Sequence, residues 1–396
     1  MTVDRDAVVA FTQALVRIES VNDPEGGRSE APAAALVERQ MRAFGWEPAV
    51  EEVAPGRPNV VAVIEGGEPG PTLLFEGHTD VVTAGARELW SVDPFGGEIR
   101  DGRLYGRGAA DMKAGVAAML FAAAAVERSG RFPGRIVVAA LADEEGMMLG
   151  AKRFCTGETA AGVDAAIVCE PEGWEVCTAQ KGALRLRLDA RGKMAHGAMP
   201  QHGVNPAPAL AAFVEAVGRH ERRLQHEHGA HPTLGPTYLT PTVIRAGDEL
   251  QLNVIPELAW LAVDVRTIPA VDHAELVVRL RAEAERIAGE TGVQLELSIV
   301  DDRPSTETPA DEAVVRAVVD AHRERFGEPP AYGGVPGATD GTILWRDLGI
   351  PVVVYGPGGK WIAHQVDEYV EVDEIGDYAE LYADAALRFL RDGSGA

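Results

Sequence analysis

The chain has 396 residues, 46% of them hydrophobic, which is more than one hydrophobic core normally serves, so two domains are expected. Its formal net charge of −24 argues against nucleic acid and anionic membranes as partners, since both need a basic surface. Three irregularly spaced cysteines, Cys155, Cys169 and Cys177, are too few for a disulfide framework or a thiolate metal site and fit a reducing compartment.

The first residues lack the apolar core of a signal peptide, so a cytoplasmic enzyme is expected. Val8, Val9, Phe11, Leu15 and Ile18 recur at helical spacing within 5–18, and residues 30–44 do likewise before Gly45, so two helices open the chain. Residues 59–64 and 71–76 are short apolar strands, and the second runs into Gly77-His78-Thr79-Asp80. Apolar runs that close on glycine describe buried strands of an α/β sheet, where ligands collect at the strand ends. In extended backbone, residues i and i+2 share a face, so the Asp80 carboxylate is placed to accept one ring N–H of a His78 whose other nitrogen holds a metal.

Asp101-Gly102 between two short β segments predicts a two-residue hairpin. It leads into Gly106-Arg-Gly-Ala-Ala-Asp111-Met-Lys-Ala-Gly115, which matches neither a dinucleotide fingerprint nor a phosphate loop. That stretch presents Asp111 just ahead of an Ala-rich helix reaching about residue 128, and the apolar run inside it, 115–126, falls short of the roughly 18 residues of a membrane span. Residues 135–142 form another buried strand ending in Asp143-Glu144-Glu145, and residues 165–169 one ending in Glu170-Pro171. Uncompensated buried carboxylates are too costly to accumulate, so acids at successive strand ends make a constellation.

Near residue 178 the texture changes, because 183–190 alternates apolar and charged residues as a half-exposed strand does. A helix at 207–224, strands at 237–245, 250–255 and 258–267, a helix at 273–290 and a strand at 293–299 follow. The expected architecture is α/β: a catalytic domain with a mostly parallel sheet, 1–178 and 293–396, interrupted by a small α+β, ferredoxin-like domain at 179–292. Beyond it come a helix to Phe326, a Gly-rich loop at 333–341, a strand at 351–355, His364 after a loop, and a closing helix at 373–390.

The ordered string Gly77-His78-Thr79-Asp80, Gly106 to Lys113, Asp143-Glu144-Glu145, Glu170-Pro171 and a late His364 resembles the dinuclear zinc deacylase and exopeptidase family. That family contains acetylornithine deacetylase, succinyl-diaminopimelate desuccinylase, aminoacylase and glutamate carboxypeptidase, and the likeness covers essentially the whole chain. It implies two Zn²⁺ per subunit, with Co²⁺ able to substitute: Asp111 bridges, His78 and Glu170 complete one metal, and Glu145 and His364 the other. Two Zn²⁺ against three carboxylates and a bridging hydroxide leave no net charge. Adjacent residues of an extended backbone point apart, so Glu144 need not ligate when Glu145 does, and it is left as the general base.

The resemblance further implies that the inserted domain is a lid through which a homodimer forms, and that its His196 reaches the partner subunit's site to stabilise the oxyanion. Asn253 and Arg266 in the same domain, and Gly337 and Thr339 in a loop like the family's Gly-rich substrate loop, are the expected substrate contacts, Arg266 suiting a carboxylate. Ala338 stands where many members have a second glycine. The implied reaction is hydrolysis of an N-acyl amino acid by metal-activated water, with Asp80, Glu144 and His196 catalytic. The alternative is a dipeptidase or carboxypeptidase of the same family.

Overall fold

A computed structural model of the chain describes residues 2–21, 23 and 26–392. It divides into two units: Met1–Ala179 with Thr308–Val335 and Thr339–Ala396, and Gln180–Glu307 with Pro336–Ala338.

The sheet of the first unit runs Ala49–Ala54, Arg57–Glu65, Phe132–Leu141, Gly67–His78, Ala165–Val168, Val352–Val354, Val176–Gln180. Phe132–Leu141, Gly67–His78, Ala165–Val168 and Val352–Val354 are mutually parallel, and the strands outside them pair antiparallel. The sheet is therefore mixed, with the expected parallel strands at its centre. Strand alternation divides the core. Leu73, Phe75, Ile136 and Val138 join one cluster with the helices Arg5–Val16, Ala114–Arg128, Ala313–Phe326 and Val372–Asp392. Leu74, Val137, Ala139 and Val168 join another with the helices Leu149–Phe154 and Asp340–Leu348. Each fully buried Leu or Phe contributes about 1.5–3 kcal/mol, so a sheet covered on both faces is what these near-continuous apolar strands require.

The helical stretch Ala109–Arg128 is apolar and long enough to cross a membrane, yet 94% of its most apolar window is buried inside the protein, as in a central core helix. Its approach to the sheet is close. A Cβ added to Gly115 would stand 2.0 Å from the Cys169 carbonyl oxygen, so glycine lets this helix carry Asp111 to the strand end that bears Glu170. The expected hairpin joins Glu98–Arg100 to Arg103–Tyr105, with Asp101 and Gly102 at φ of 52° and 79°, a turn whose twist suits paired strands. Arg103–Tyr105 also pairs with Tyr369–Glu371, which follows His364 in the chain.

In the second unit the order β-α-β-β-α-β builds a four-stranded antiparallel sheet: Tyr238–Ala246, Leu258–Thr267, Gly182–Arg191, Gln294–Arg303. This is the ferredoxin-like arrangement. The helices Pro206–His228 and His273–Thr291 are capped by the side chains of Asn205 and Asp272. Two expectations need correction. Gln294–Arg303 pairs along Gly182–Arg191 through a bulge at Ile299/Asp301, so the unit extends to Glu307 instead of stopping at 292. The strand expected at 250–255 is only Val254–Ile255, because Leu250 and Leu252 are 88% and 92% exposed and have no face to bury.

Candidate active site

The site assembles where parallel strands end. Gly67–His78 finishes in His78; Phe132–Leu141 is followed by the turn bearing Glu144 and Glu145; Ala165–Val168 is followed by Glu170. Asp111 enters from the turn ahead of Ala114–Arg128, with φ −113° and ψ 96°, outside helical geometry. His364 arrives from a loop with φ 66°.

Asp111 stands between two imidazoles. Its Oδ1 lies 3.2 Å from His78 Nε2 and its Oδ2 lies 3.2 Å from His364 Nε2. Glu170 Oε1 is 3.4 Å from His78 Nε2, and Glu145 Oε1 is 2.8 Å from His364 Nε2. The other nitrogen of His78 is 3.0 Å from the Asp80 main-chain oxygen and 3.3 Å from Asp80 Oδ1. The Asp80 carboxylate also accepts the backbone N–H groups of Glu144 and Glu145, each at 3.1 Å. One residue thus orients a histidine and pegs both neighbouring acids.

Glu144 and Glu145 do not stand in the extended backbone that was expected. They lie in a turn entered through Asp143 at φ 70°, and Asp80 fixes that turn by its amides. Candidate ligand atoms of His78, Asp111 and Glu145 lie within 4.8 Å of one another, and those of His78, Glu144 and Glu170 form a second such group.

Four buried or half-buried carboxylates around two imidazoles leave the cluster short of positive charge. Burial, together with the Asp111 charge, pushes the Glu170 carboxyl up to about 8. Burial raises Glu144 well above the usual carboxylate range, with Glu170, Glu145 and Asp340 adding to it against the pull of His78. Glu145 is raised by burial and Asp111. Asp111 goes the other way: burial opposes its charge, but the hydrogen bonds from His364 and His78 hold it below the usual range. Hydrogen bonds to Asp111 and Glu145 lift His364 to about 10, and His78 rises in spite of burial because Glu170, Asp111 and Asp80 surround it. Imidazole nitrogens and carboxylate oxygens short of positive charge, with one carboxylate shared, are a donor set that fits two divalent cations.

The profile of Peptidase family M20/M25/M40 matches residues 74–388. The chain belongs to this family. A succinyl-diaminopimelate desuccinylase of Cereibacter sphaeroides is 36% identical over 396 residues, covering 97% of this chain and 98% of that protein. An M20-family metallo-carboxypeptidase from Sulfolobus solfataricus has the same fold, with a TM-score of 0.79 at 18% identity over 96% of this chain and 99% of its own. So has a dinuclear metal binding M20 peptidase from Bacillus subtilis, at 0.72 and 18% over 98% of each chain. This M20/M25/M40 member is a metal-dependent hydrolase of amide or peptide bonds.

The expected substrate residues of this M20/M25/M40 chain fall in both units. In the second, exposed His196 sits in the short strand Ala195–His196, which pairs with Val254–Ile255, and its Nδ1 accepts the Ala198 N–H at 3.0 Å. Asn253 is exposed, and its main-chain oxygen accepts the Gly197 N–H at 2.7 Å. Arg266 donates to Asp264 at 2.8 Å, and a Cβ on Gly337 would stand 4.0 Å from its Nη1. Thr339 belongs to the first unit, where its hydroxyl caps Asp340–Leu348 by accepting the Gly341 N–H at 3.1 Å.

Buried acids beside the site were missed, Glu30 and Glu76 among them. Glu30, pushed up to about 9 by burial, Asp80 and Asp143, accepts the Asp143 N–H at 3.2 Å. Glu76 interacts with Asp340 and is raised by burial and by that neighbour. An acid inside the apolar run 73–76 was the available signal for Glu76; Glu30 offers none.

Proposed function

We propose that this chain is a cytoplasmic, homodimeric deacylase that hydrolyses the amide bond of an N-acyl amino acid, an N-succinyl one foremost, and uses two zinc ions for which cobalt can substitute. The observation that carries the reading is Asp111, whose two oxygens face two different histidines, each with its own glutamate. Full-length kinship to a desuccinylase supports the acyl class. The free Cys155, Cys169 and Cys177 support a reducing compartment.

In this reading His78 and Glu170 would hold one cation, Glu145 and His364 would hold the other, and Asp111, facing both histidines, would serve both. When bound, the cations polarise the acyl carbonyl and acidify water. Asp80 keeps His78 in one orientation and fixes the turn of Glu144 and Glu145. Glu144, buried yet next to His78 and Glu170, takes a proton from the attacking water and returns it to the departing amine. Burial that disfavours the charged form makes the Glu144 carboxylate the stronger base for that proton. His196, exposed in the inserted unit, donates from the partner subunit to the oxyanion, and Arg266 receives a carboxylate of the substrate.

A panel of N-succinyl amino acids, N-acetyl amino acids and dipeptides, incubated with zinc-loaded protein and read by amine release, tests this. Turnover is expected on the N-acyl amino acids. Hydrolysis of dipeptides alone would overturn the deacylase reading and leave the peptidase one.

A further inference from the structure

Beneath the cluster lies a buried ion pair to which the reaction as described gives no task. Glu368 is fully buried and Arg107 is 3% exposed, and Arg107 Nη1 donates to Glu368 Oε2. Burying two charges is expensive and is repaid only by good geometry and further hydrogen bonds, so the other partners of the pair are informative.

Those partners are the backbones of two proposed cation ligands. Glu368 Oε1 accepts the N–H groups of Ala110 and Asp111, each at 3.1 Å, and the Glu368 main-chain oxygen accepts the Gly106 N–H at 2.9 Å. One residue therefore grips both ends of the segment that delivers Asp111. Because the backbone of Asp111 is not helical, its amide needs a partner from elsewhere in the chain, and the carboxylate supplies it. On the other side, Arg107 Nη2 donates to the main-chain oxygen of His364 at 3.3 Å. His364 has φ 66°, a left-handed conformation that a residue with a Cβ rarely keeps unless its surroundings hold it. The Trp90 ring lies 5.2 Å from the guanidinium carbon and closes that flank. As a neutral pair, Arg107 and Glu368 add no net charge to a site already crowded with carboxylates.

We propose that Arg107 and Glu368 are positioning residues that preset the Asp111 carboxylate and the His364 ring, and so set the affinity for the cation held by Asp111, Glu145 and His364. This rests on the two-cation reading above. Arg107→Lys keeps a charge for Glu368 but loses the fork that also reaches His364. Glu368→Gln keeps an acceptor for the amides of Ala110 and Asp111 but loses the ion pair.

The test titrates metal-free wild-type, Arg107→Lys and Glu368→Gln protein with Zn²⁺ in competition with a chromogenic chelator, and follows the thermal midpoint of each metal-free form. In both variants one equivalent should weaken about 10–100-fold, as loss of a group that orients a ligand does, and the other, which shares only Asp111 with it, by clearly less, with the metal-free midpoint kept. A pair that served the fold alone would lower the metal-free midpoint and weaken both equivalents together, and that result would overturn the proposal. Equal, wild-type affinity for both equivalents in both variants would overturn it too, with the two-cation reading left standing. Uptake of fewer than two equivalents by the wild type would remove that reading and the inference with it.

Discussion

Replacing Glu144 by Gln separates proton transfer from metal binding. Asp80 holds this residue through its main-chain N–H at 3.1 Å, so the amide side chain starts from the same anchored position. Glu144 is 8% exposed, and its candidate ligand atom lies within 4.8 Å of those of His78 and Glu170. Loss of a general base at that position is expected to lower turnover by about 10²–10⁴, or about 3–5 kcal/mol of barrier. Stability should move the other way. Burial and the neighbouring Glu170 and Glu145 raise Glu144, so a neutral amide relieves repulsion and the metal-free midpoint at pH 8 should not fall. Steady-state kcat and KM on the best substrate, with metal content measured on the same samples, decide the matter. Near wild-type kcat with metals intact, or loss of metal, would refute the assignment. Asp143 would not then replace it, because its carboxylate is committed to Arg57.

Glu145→Gln should instead lower metal content towards one ion per chain, since Glu145 is the carboxylate 2.8 Å from His364 Nε2; two tightly held ions in that variant would contradict its role. If His196 acts across a dimer, mixing inactive His196→Ala and Glu144→Ala chains with proven exchange should recover about a quarter of wild-type activity, because half the dimers then carry one intact site; no recovery would place the histidine in cis or outside the reaction. The metal-free protein should lose stability as pH rises. Glu170, pushed up to about 8, and Glu30, to about 9, keep in the fold protons that unfolded carboxylates release near about 4.3, so their contribution is whole below that pH and drains through 8–9. A midpoint as high at pH 9 as at pH 6 would contradict this.

What was legible in the sequence was local. Apolar runs closing on His78, on Asp143 to Glu145 and on Glu170 are strand ends by pattern alone, Asp101-Gly102 is a hairpin by turn chemistry, and the alternation in 183–190 marks a second sheet. What was not legible depends on pairing at a distance. The inserted unit reaches Glu307 because Gln294–Arg303 finds Gly182–Arg191, and the bulge that extends it has no sequence mark. Leu250 and Leu252 alternate like a strand but meet no partner face. Glu144 and Glu145 lie in a turn fixed by Asp80, a contact across 64 and 65 residues. Arg107 and Glu368 are separated by 261 residues, so their union beneath Asp111 exists only in the fold.

The most direct test of a two-cation amide hydrolase is to strip the protein of metal and restore it. Elemental analysis should find up to two zinc-type ions per chain held by His78, Asp111, Glu145, Glu170 and His364, the donor set of two borderline cations. Exhaustive chelation should abolish hydrolysis of an N-succinyl amino acid, and added Zn²⁺ or Co²⁺ should bring it back. Full activity in protein shown to be free of metal would contradict the central claim.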